Sequence, residues 1–355
     1  MSAGPVVPPA SSAGGSAGPE LELGSSAPVA LGNGLMVAKD KKDSLIVSRL
    51  QDGQFQPIMT PPDEISSWPV ALAGGATTNA YWVSGGRLVR REVKTDGSEG
   101  PLQVLASDAA NRGPVSASRS SGATERDVVM YVGAKLSAEG ERSARLWVEG
   151  HGSRPISREA GGATSLSVVP LGGGRFALVT LDGRVGMSPV HAISLELDVQ
   201  GAPHLGEDRV VHVAGPAERG TALTGVQLGR GPMVLLPISK DAKSFGLLML
   251  RVGYGDGETP SSWVDYPNGM DPAPLAASTV CGKPTVAFVR PGAAAPNSPE
   301  VLELGRLDNQ GELRDRRIVA SAPRLRHIDL RGEATGGWLV YATEQGLRGQ
   351  RVDCK

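Results

Sequence analysis

The chain has 355 residues and a nearly neutral charge balance, with 36 basic and 37 acidic side chains scattered along the sequence. This balance excludes the basic footprint of a protein that holds nucleic acid or an anionic membrane, and no apolar run is long enough to span a bilayer. Glycine (48) and proline (27) are abundant while 40% of the chain is apolar, so the composition predicts many turns around a buried core, and short strands rather than long helices.

Residues 1–18 contain no charged side chain and lack the basic and continuous apolar regions of a signal peptide. Small residues and proline bury too little surface to order themselves, so we expect a disordered linker ahead of one domain at 19–355. Two explanations stay open: a cytoplasmic protein with a loose tail, or an exported protein, periplasmic or at the cell surface, whose signal or lipid anchor lies outside this sequence. The low cysteine content and the tethering linker favour export.

Apolar segments of similar length recur along the rest of the chain. Neighbouring centres lie roughly 50 residues apart, which is the spacing of propeller blades. The centres are Val37, Trp82, Met130, Leu178, Leu235, Phe288 and Val340. Each segment follows a strand of small residues, such as TSLSVVPL, and precedes two further strands. In a radial array the innermost strand is crowded, so small side chains are expected there.

The outer half of each unit is a predicted β-hairpin, of which Val301 to Val319 is the best-formed example. Its alternating apolar residues are joined by a turn at Asp308–Gly311, where Asn and Gly tolerate the backbone of a tight turn. The seventh unit ends after three strands. The alternating segment Pro19–Ser25 can supply the missing strand and close the ring. The prediction is an all-β chain with seven four-stranded blades, and six or eight blades are the alternatives.

The repeat length, strand count and glycine-rich turns resemble those of β-propellers over Pro19 to Lys355. The regular GH and WD pairs of WD40 repeats, the kelch pattern and the SxDxGxxW box of sialidases are not matched. The resemblance is therefore to an architecture, which by itself implies no reaction.

Loop lengths distinguish the two faces of such a propeller. The short-turn face carries the first-to-second and third-to-fourth connections, which are short and glycine-rich. The long-loop face carries the second-to-third and blade-to-blade connections, which are longer and varied. Binding usually resides in variable loops on a rigid scaffold. The candidate binding residues on this face are Asp43, Glu64, Arg112, Asp182, His191, Arg219, Asp271 and Arg324.

Few residues suggest a specific chemistry. Cys281 and Cys354 are predicted to lie on the short-turn face of neighbouring blades, either as a disulfide or as two unpaired thiols. The histidines show no HxH or HxxxH spacing, so no metal site is expected. The serine-bearing strands contain no GxSxG elbow, P-loop and dinucleotide motifs do not occur, and no cofactor is expected.

The sequence therefore favours a non-catalytic, monomeric binding or interaction propeller that engages a protein or a glycan through the long-loop face. The alternative is a carbohydrate-active hydrolase or lyase whose acidic residues converge at the central mouth. We prefer a solvated acidic rim, because no spacing singles out a carboxylate pair.

Overall fold

The structure, a computed structural model, describes most of the chain beyond residue 29. The described residues are 30–32, 35–39, 44–51, 54–59, 65–66, 70–74, 77–94, 96, 98–111, 113–121, 125–136, 142–156, 162–183, 188–214, 223–229, 231–239, 245–253, 261–266, 274–292, 298–344 and 346–354.

The described residues form antiparallel sheets, here called blades 1 to 7 in chain order, and within each sheet the strands follow one another in sequence. The strands are, in blade 1, β1 (Ala30–Gly32), β2 (Leu35–Lys39), β3 (Leu45–Gln51) and β4 (Gln54–Met59); in blade 2, β5 (Val70–Gly74), β6 (Thr77–Ser84), β7 (Arg87–Lys94) and β8 (Gln103–Ala106); in blade 3, β9 (Val115–Arg119), β10 (Asp127–Leu136), β11 (Arg142–Val148) and β12 (Gly152–Pro155); in blade 4, β13 (Ala163–Gly172), β14 (Arg175–Asp182), β15 (Ser188–Leu197) and β16 (Pro203–Ala214); in blade 5, β17 (Thr224–Leu228), β18 (Gly231–Ser239), β19 (Phe245–Arg251) and β20 (Ser261–Tyr266); in blade 6, β21 (Leu275–Val280), β22 (Lys283–Pro291), β23 (Glu300–Leu307) and β24 (Leu313–Ala322); and in blade 7, β25 (Arg326–Glu333), β26 (Gly336–Thr343) and β27 (Gly346–Val352).

The first strands of the blades surround a common axis. β1, β5, β9, β13, β17, β21 and β25 contact one another in this order, and β25 contacts β1. The ring is thus closed with seven members, and the chain is a seven-bladed β-propeller. The predicted fold class and blade number are confirmed, and the alternatives of six and eight blades are wrong. Among the described residues, no helix has the length and apolar character that crossing a membrane requires.

The second strands are apolar on both faces because each lies between two blades. In β14, Phe176 and Leu178 pack in a cluster with residues of blade 3, whereas Ala177 and Val179 pack with residues of blade 5. All four side chains are buried. A strand covered on both faces is a continuous apolar run rather than an alternating one. This is why the second strands were the clearest signal in the sequence.

The first strands have small residues for two reasons. Neighbouring backbones approach closely: a Cβ placed on Gly332 of β25 would lie 1.8 Å from the carbonyl oxygen of Thr279 in β21. Serine hydroxyls also accept hydrogen bonds from backbone N–H groups of the next blade. The pairs are Ser116 with Val168 N (2.9 Å), Ser165 with Leu223 N (3.0 Å) and Ser278 with Gly332 N (2.9 Å). These bonds satisfy N–H groups that the edge of an innermost strand would otherwise leave unpaired.

Blade 7 closes the ring with three described strands, and β27 contacts β4 of blade 1. The segment Pro19–Ser25, predicted to add a fourth strand here, and the predicted linker at 1–18 both lie outside the described residues. A disulfide joins Cys281, in the turn after β21, to Cys354, just after β27. The link therefore connects blade 6 to the end of blade 7 on the short-turn face, over a sequence separation of 73 residues.

The predicted difference between the two faces holds for much of the ring, with exceptions on both faces. On the short-turn face, the connections 95–102 and 252–260 are long and depart from the prediction. Long connections on the long-loop face include residues 60–69, 215–223 and 267–274. Blade 2 departs from this pattern, because only Gly85 and Gly86 join β6 to β7. Blade 7 departs as well, because residues 323–325 alone lead from β24 into β25. The Asp308–Gly311 turn lies on the short-turn face as predicted, and the Asp308 carboxylate accepts the Gln310 and Glu312 N–H groups at 3.0 and 2.9 Å.

Candidate functional site

The described structure covers three of the predicted binding residues: Asp182, His191 and Arg324. Asp182 and His191 belong to blade 4, whereas Arg324 lies in the short link between blades 6 and 7. The structure therefore brings the first two together and keeps Arg324 apart from them. The other five lie outside the described residues; they are Asp43, Glu64, Arg112, Arg219 and Asp271.

His191 is flanked by two carboxylates. Its Nε2 lies 3.5 Å from Oδ2 of Asp182, and its Nδ1 lies 2.9 Å from Oδ1 of Asp208. The side chains of Asp182 and His191 are 0% and 4% exposed, and that of Asp208 is 12% exposed. The sequence had placed His191 in a loop, but β15 already begins at Ser188, so His191 is a buried strand residue.

Strand register brings these three side chains to one face of blade 4. Asp182 ends β14, and Thr180, two residues earlier, is paired with His191 in β15. Asp208 in β16 is paired with Ile193, two residues after His191. Since side chains alternate along a strand, all three lie on the face that carries Phe176 and Leu178, which packs against blade 3. These three residues, Asp182, His191 and Asp208, are here called the histidine cluster. The histidine cluster thus lies under the long-loop face, at the boundary between blades 3 and 4.

Asp208 is the member of this cluster that the sequence did not reveal. It lies within β16, in the stretch GEDRVV, where charged residues look like the solvated face of an outer strand. Register shifts in the β15–β16 pairing occur between Val190 and His191 and between Ile193 and Leu195. Such bulges re-aim side chains, and single-sequence patterns do not locate them.

The histidine cluster fixes the protonation of His191. Burial by itself lowers the pKa of the imidazole, but the carboxylate of Asp182 beside Nε2 and that of Asp208, which is hydrogen-bonded to Nδ1, outweigh burial and raise the pKa from 6.5 to about 9. At neutral pH the group is therefore an imidazolium between two carboxylates. Both ring nitrogens face protein groups in a buried position, so the arrangement suits holding β14, β15 and β16 together better than exchanging protons with a ligand.

The same geometry does not form a metal centre. The two carboxylates lie on opposite nitrogens of the imidazole, so the three groups do not converge on one point. Within the part of the chain that the structure describes, no set of three or more His, Cys, Asp or Glu residues could hold a metal ion.

Arg324 is exposed where the chain enters the innermost strand of blade 7. The neighbouring Leu325 donates its N–H to Oε2 of Glu300 at 2.5 Å, which fixes this short link against blade 6. His327 follows with a φ of 46°, at a shift in the β25–β26 register between Arg326 and Asp329. Because a positive φ is uncommon for a residue other than glycine, the start of β25 has a defined, irregular shape. Arg324 is thus presented to solvent on a rigid support.

A second buried charge lies on the other face, between blades 2 and 3. Asp127 is fully buried and accepts hydrogen bonds from Asn79 Nδ2 (2.7 Å), from the Tyr81 hydroxyl, and from Arg119 through Nε (2.5 Å) and Nη2 (3.0 Å). Burial, and then the charge of Asp127, raise the pKa of Tyr81. Since Arg119 ends β9 and Asp127 begins β10, this network lies at the short-turn face, where it links two blades. In the sequence these residues are only polar side chains near strand ends, so the network was not predicted.

Comparison with known proteins supports the fold and goes no further. No protein-family model and no curated protein sequence matches the chain. Among solved structures, a puromycin hydrolase is similar, with a TM-score of 0.57 and 14% sequence identity. The similarity covers 92% of this chain but only 51% of the hydrolase chain. A polysaccharide lyase that acts as an ulvan lyase is also similar, with a TM-score of 0.55 and 11% sequence identity. This similarity covers 95% of this chain and 93% of the lyase chain. A lectin of Aleuria aurantia in complex with a methyl fucoside has a TM-score of 0.50 and 12% identity, covering 83% and 94%.

These three proteins are a hydrolase, a polysaccharide lyase and a lectin. At such identities the likeness establishes a propeller and leaves the activity open.

Proposed function

We propose that this chain is a non-catalytic binding propeller that holds a glycan or a protein on its long-loop face. The observation that carries the proposal is the state of the histidine cluster. His191, the histidine predicted from the sequence as a binding residue, is buried, and both of its ring nitrogens face aspartates of the same blade. The imidazole therefore stabilises the strands that support the loops and does not face a ligand.

The innermost strands support the same proposal. The hydroxyls of Ser116, Ser165 and Ser278 accept hydrogen bonds from backbone N–H groups of neighbouring blades. These polar groups near the axis are therefore engaged in joining blades. A rigid ring that presents varied loops is the usual arrangement of a binding scaffold.

The first test is a titration of the full chain with a panel of soluble glycans, chosen because the similar solved structures include a lectin and a polysaccharide lyase. Binding is measured by calorimetry, and chain length is followed by chromatography. We expect saturable binding to a member of the panel without any change in its length. The variant Arg324→Ala, at an exposed position on the long-loop face, should weaken this binding about tenfold, as loss of a charged interface contact does.

The matched control is Arg175→Ala, at an exposed position at the start of β14 on the short-turn face, which should bind as the unmodified chain does. Cleavage of a glycan that is abolished by Asp182→Asn or His191→Gln in a folded variant would instead establish the enzyme alternative. Equal loss of binding in the Arg324 and Arg175 variants would remove the long-loop face as the site.

A further inference from the structure

A cleft of 320 Å³ opens between the outer strands of blade 6 and the last strand of blade 7, at a distance along the ring from the histidine cluster of blade 4. Its volume falls at the lower end of the range of about 300–1,000 Å³ that is usual for small-molecule sites. The lining residues are Leu304, Gly305 and Arg306 of β23, Asp315 and Arg317 of β24, and Val352 of β27.

The cleft combines an apolar floor with a charged rim. Leu304 and Val352 are buried at 4% and 3% exposure and belong to the core shared by blades 6 and 7. Asp315 and Arg317 are exposed, and Arg306 is partly exposed. A floor of this kind accepts the apolar face of a sugar ring, whereas the rim offers one hydrogen-bond acceptor group and two guanidinium groups.

A β-bulge shapes this rim. Leu304 is paired with Arg317 and Arg306 with Arg314, so Asp315 and Arg316 together oppose the single residue Gly305. Asp315 has a φ of 50°, a left-handed conformation that aspartate tolerates better than most residues. A bulge of this kind turns side chains away from the regular alternation of a strand.

The arginines of β24 differ in whether they pair with acidic side chains or line the cleft. Arg314 pairs with Asp308 at 3.1 Å and with Glu312, and Arg316 pairs with Glu303, which also binds Arg290 at 2.5 Å. Neither Arg314 nor Arg316 lines the cleft. Arg317, by contrast, is directed to the cleft wall.

Arg306 is held in place on the opposite wall. Its Nη2 donates to the backbone carbonyl oxygen of Asp353 at 3.3 Å, and the next residue, Cys354, is fixed to Cys281 by the disulfide. A guanidinium that is oriented before the ligand arrives loses less freedom on binding.

We propose that this cleft binds a small monoanionic polyol, a sugar acid of the hexuronate type. Two arginines against one aspartate leave one positive charge in excess, which a single carboxylate neutralises. Guanidinium groups suit a carboxylate, and the Asp315 carboxylate accepts hydrogen bonds from sugar hydroxyls while repelling a doubly charged phosphate. This site is independent of the long-loop face and of any ligand bound there.

The test is calorimetric titration of the full, disulfide-bonded chain with D-glucuronate, D-glucose and D-glucose 6-phosphate. D-glucuronate should bind at one site, and D-glucose should bind at least about tenfold more weakly because it lacks the charge-assisted contacts. Arg317→Gln should weaken D-glucuronate binding by about tenfold as well, through loss of one guanidinium. Asp315→Asn should shift the preference toward the phosphate.

Arg314→Gln is the matched control, since this arginine lies on the same strand, has a side chain 61% exposed and stays outside the cleft. Arg324→Ala on the long-loop face is a second control, and both variants should bind D-glucuronate normally. Absence of saturable binding, equal affinity for D-glucose, or unchanged affinity in Arg317→Gln would each overturn the proposal. If Arg324→Ala loses glycan binding on the long-loop face but still binds D-glucuronate, the two sites are separate. The two proposals can therefore fail independently of each other.

Discussion

At the scale of single residues, the most informative group is the imidazole of His191. A buried cation is costly unless it is paired, and here Asp182 and Asp208 supply two carboxylates to one imidazolium. The three side chains come from successive strands, so they bind the outer part of blade 4 together just below its loops. This explains how a loop-bearing face can be carried on a blade whose edge strand is exposed.

The cluster makes stability depend on pH in a defined direction. The pKa of His191 is raised in the folded state from 6.5 to about 9, so the folded chain keeps a proton that the unfolded chain releases. The stabilisation is complete below about pH 6.5 and is lost as the pH rises through about 9. Urea unfolding should show that the advantage of the unmodified chain over His191→Gln falls by about 3 kcal/mol between pH 6 and pH 10.

His151→Gln, in an exposed turn of blade 3, controls for the removal of an imidazole as such. An advantage that stays constant over this pH range would mean that His191 is not held as a cation between the two aspartates.

At the scale of strands, the sequence pattern and the structure agree where burial is uniform. The second strands are apolar on both faces because they lie between blades, and each predicted one is found. The first strands carry small residues as expected, but the structure adds a reason that composition does not contain. Three serines bond the backbone of the following blade, so these hydroxyls are specific contacts as well as small groups.

Loss of such a serine should weaken the contact between two blades. Ser165 is 6% exposed, and its hydroxyl accepts the Leu223 N–H at 3.0 Å. In Ser165→Ala this N–H has no acceptor, and the free energy of unfolding should fall by about 1–3 kcal/mol. Denaturant unfolding measures the change, and amide hydrogen exchange at Leu223 should become faster.

The comparison variant is Ser321→Ala, at an exposed position on the outer strand β24, which should change stability by less than about 0.5 kcal/mol. Similar effects of the two substitutions would argue against a specific role of the inner serines.

At the scale of the whole molecule, the ring must be closed near blade 7. The described part of this blade has three strands, and the Cys281–Cys354 disulfide ties its end to blade 6. A covalent link over 73 residues restricts the unfolded chain much more than the folded one. The disulfide therefore acts on the stability of the complete ring.

Removal of this link should destabilise the ring as a unit. The double variant Cys281→Ser and Cys354→Ser should lose about 4 kcal/mol of unfolding free energy relative to the oxidised chain. Chemical denaturation with and without a reductant gives the measurement. The reductant should lower the stability of the unmodified chain to that of the variant and leave the variant unchanged; an unchanged parent would show that the bond does not support the fold.

The disulfide also bears on where the protein works. We propose export, on the ground that disulfides persist in oxidising compartments. Non-reducing mass analysis of the protein from its native source should find two hydrogens fewer than in the reduced chain. Two free thiols in that material would remove this support for export.

The sequence by itself determined the architecture of this protein. Apolar runs spaced by one blade, inner strands of small residues and glycine-containing turns are local consequences of packing each strand between its neighbours. They can therefore be recognised in the sequence alone. Even the Asp308–Gly311 turn follows from residues adjacent in the chain.

Only the tertiary structure decided which charged groups meet. His191 contacts Asp208 through strand register and bulges, Asp127 contacts Arg119 and Tyr81 across two blades, and Arg306 and Arg317 line one cleft because β23 and β24 pair irregularly. Such contacts depend on a shift of a single residue in register, which moves a side chain from one face of a strand to the other. A sequence pattern does not define the register of a strand to within one residue. For this reason the pattern located the blades, whereas the cleft and the histidine cluster became visible only in the structure.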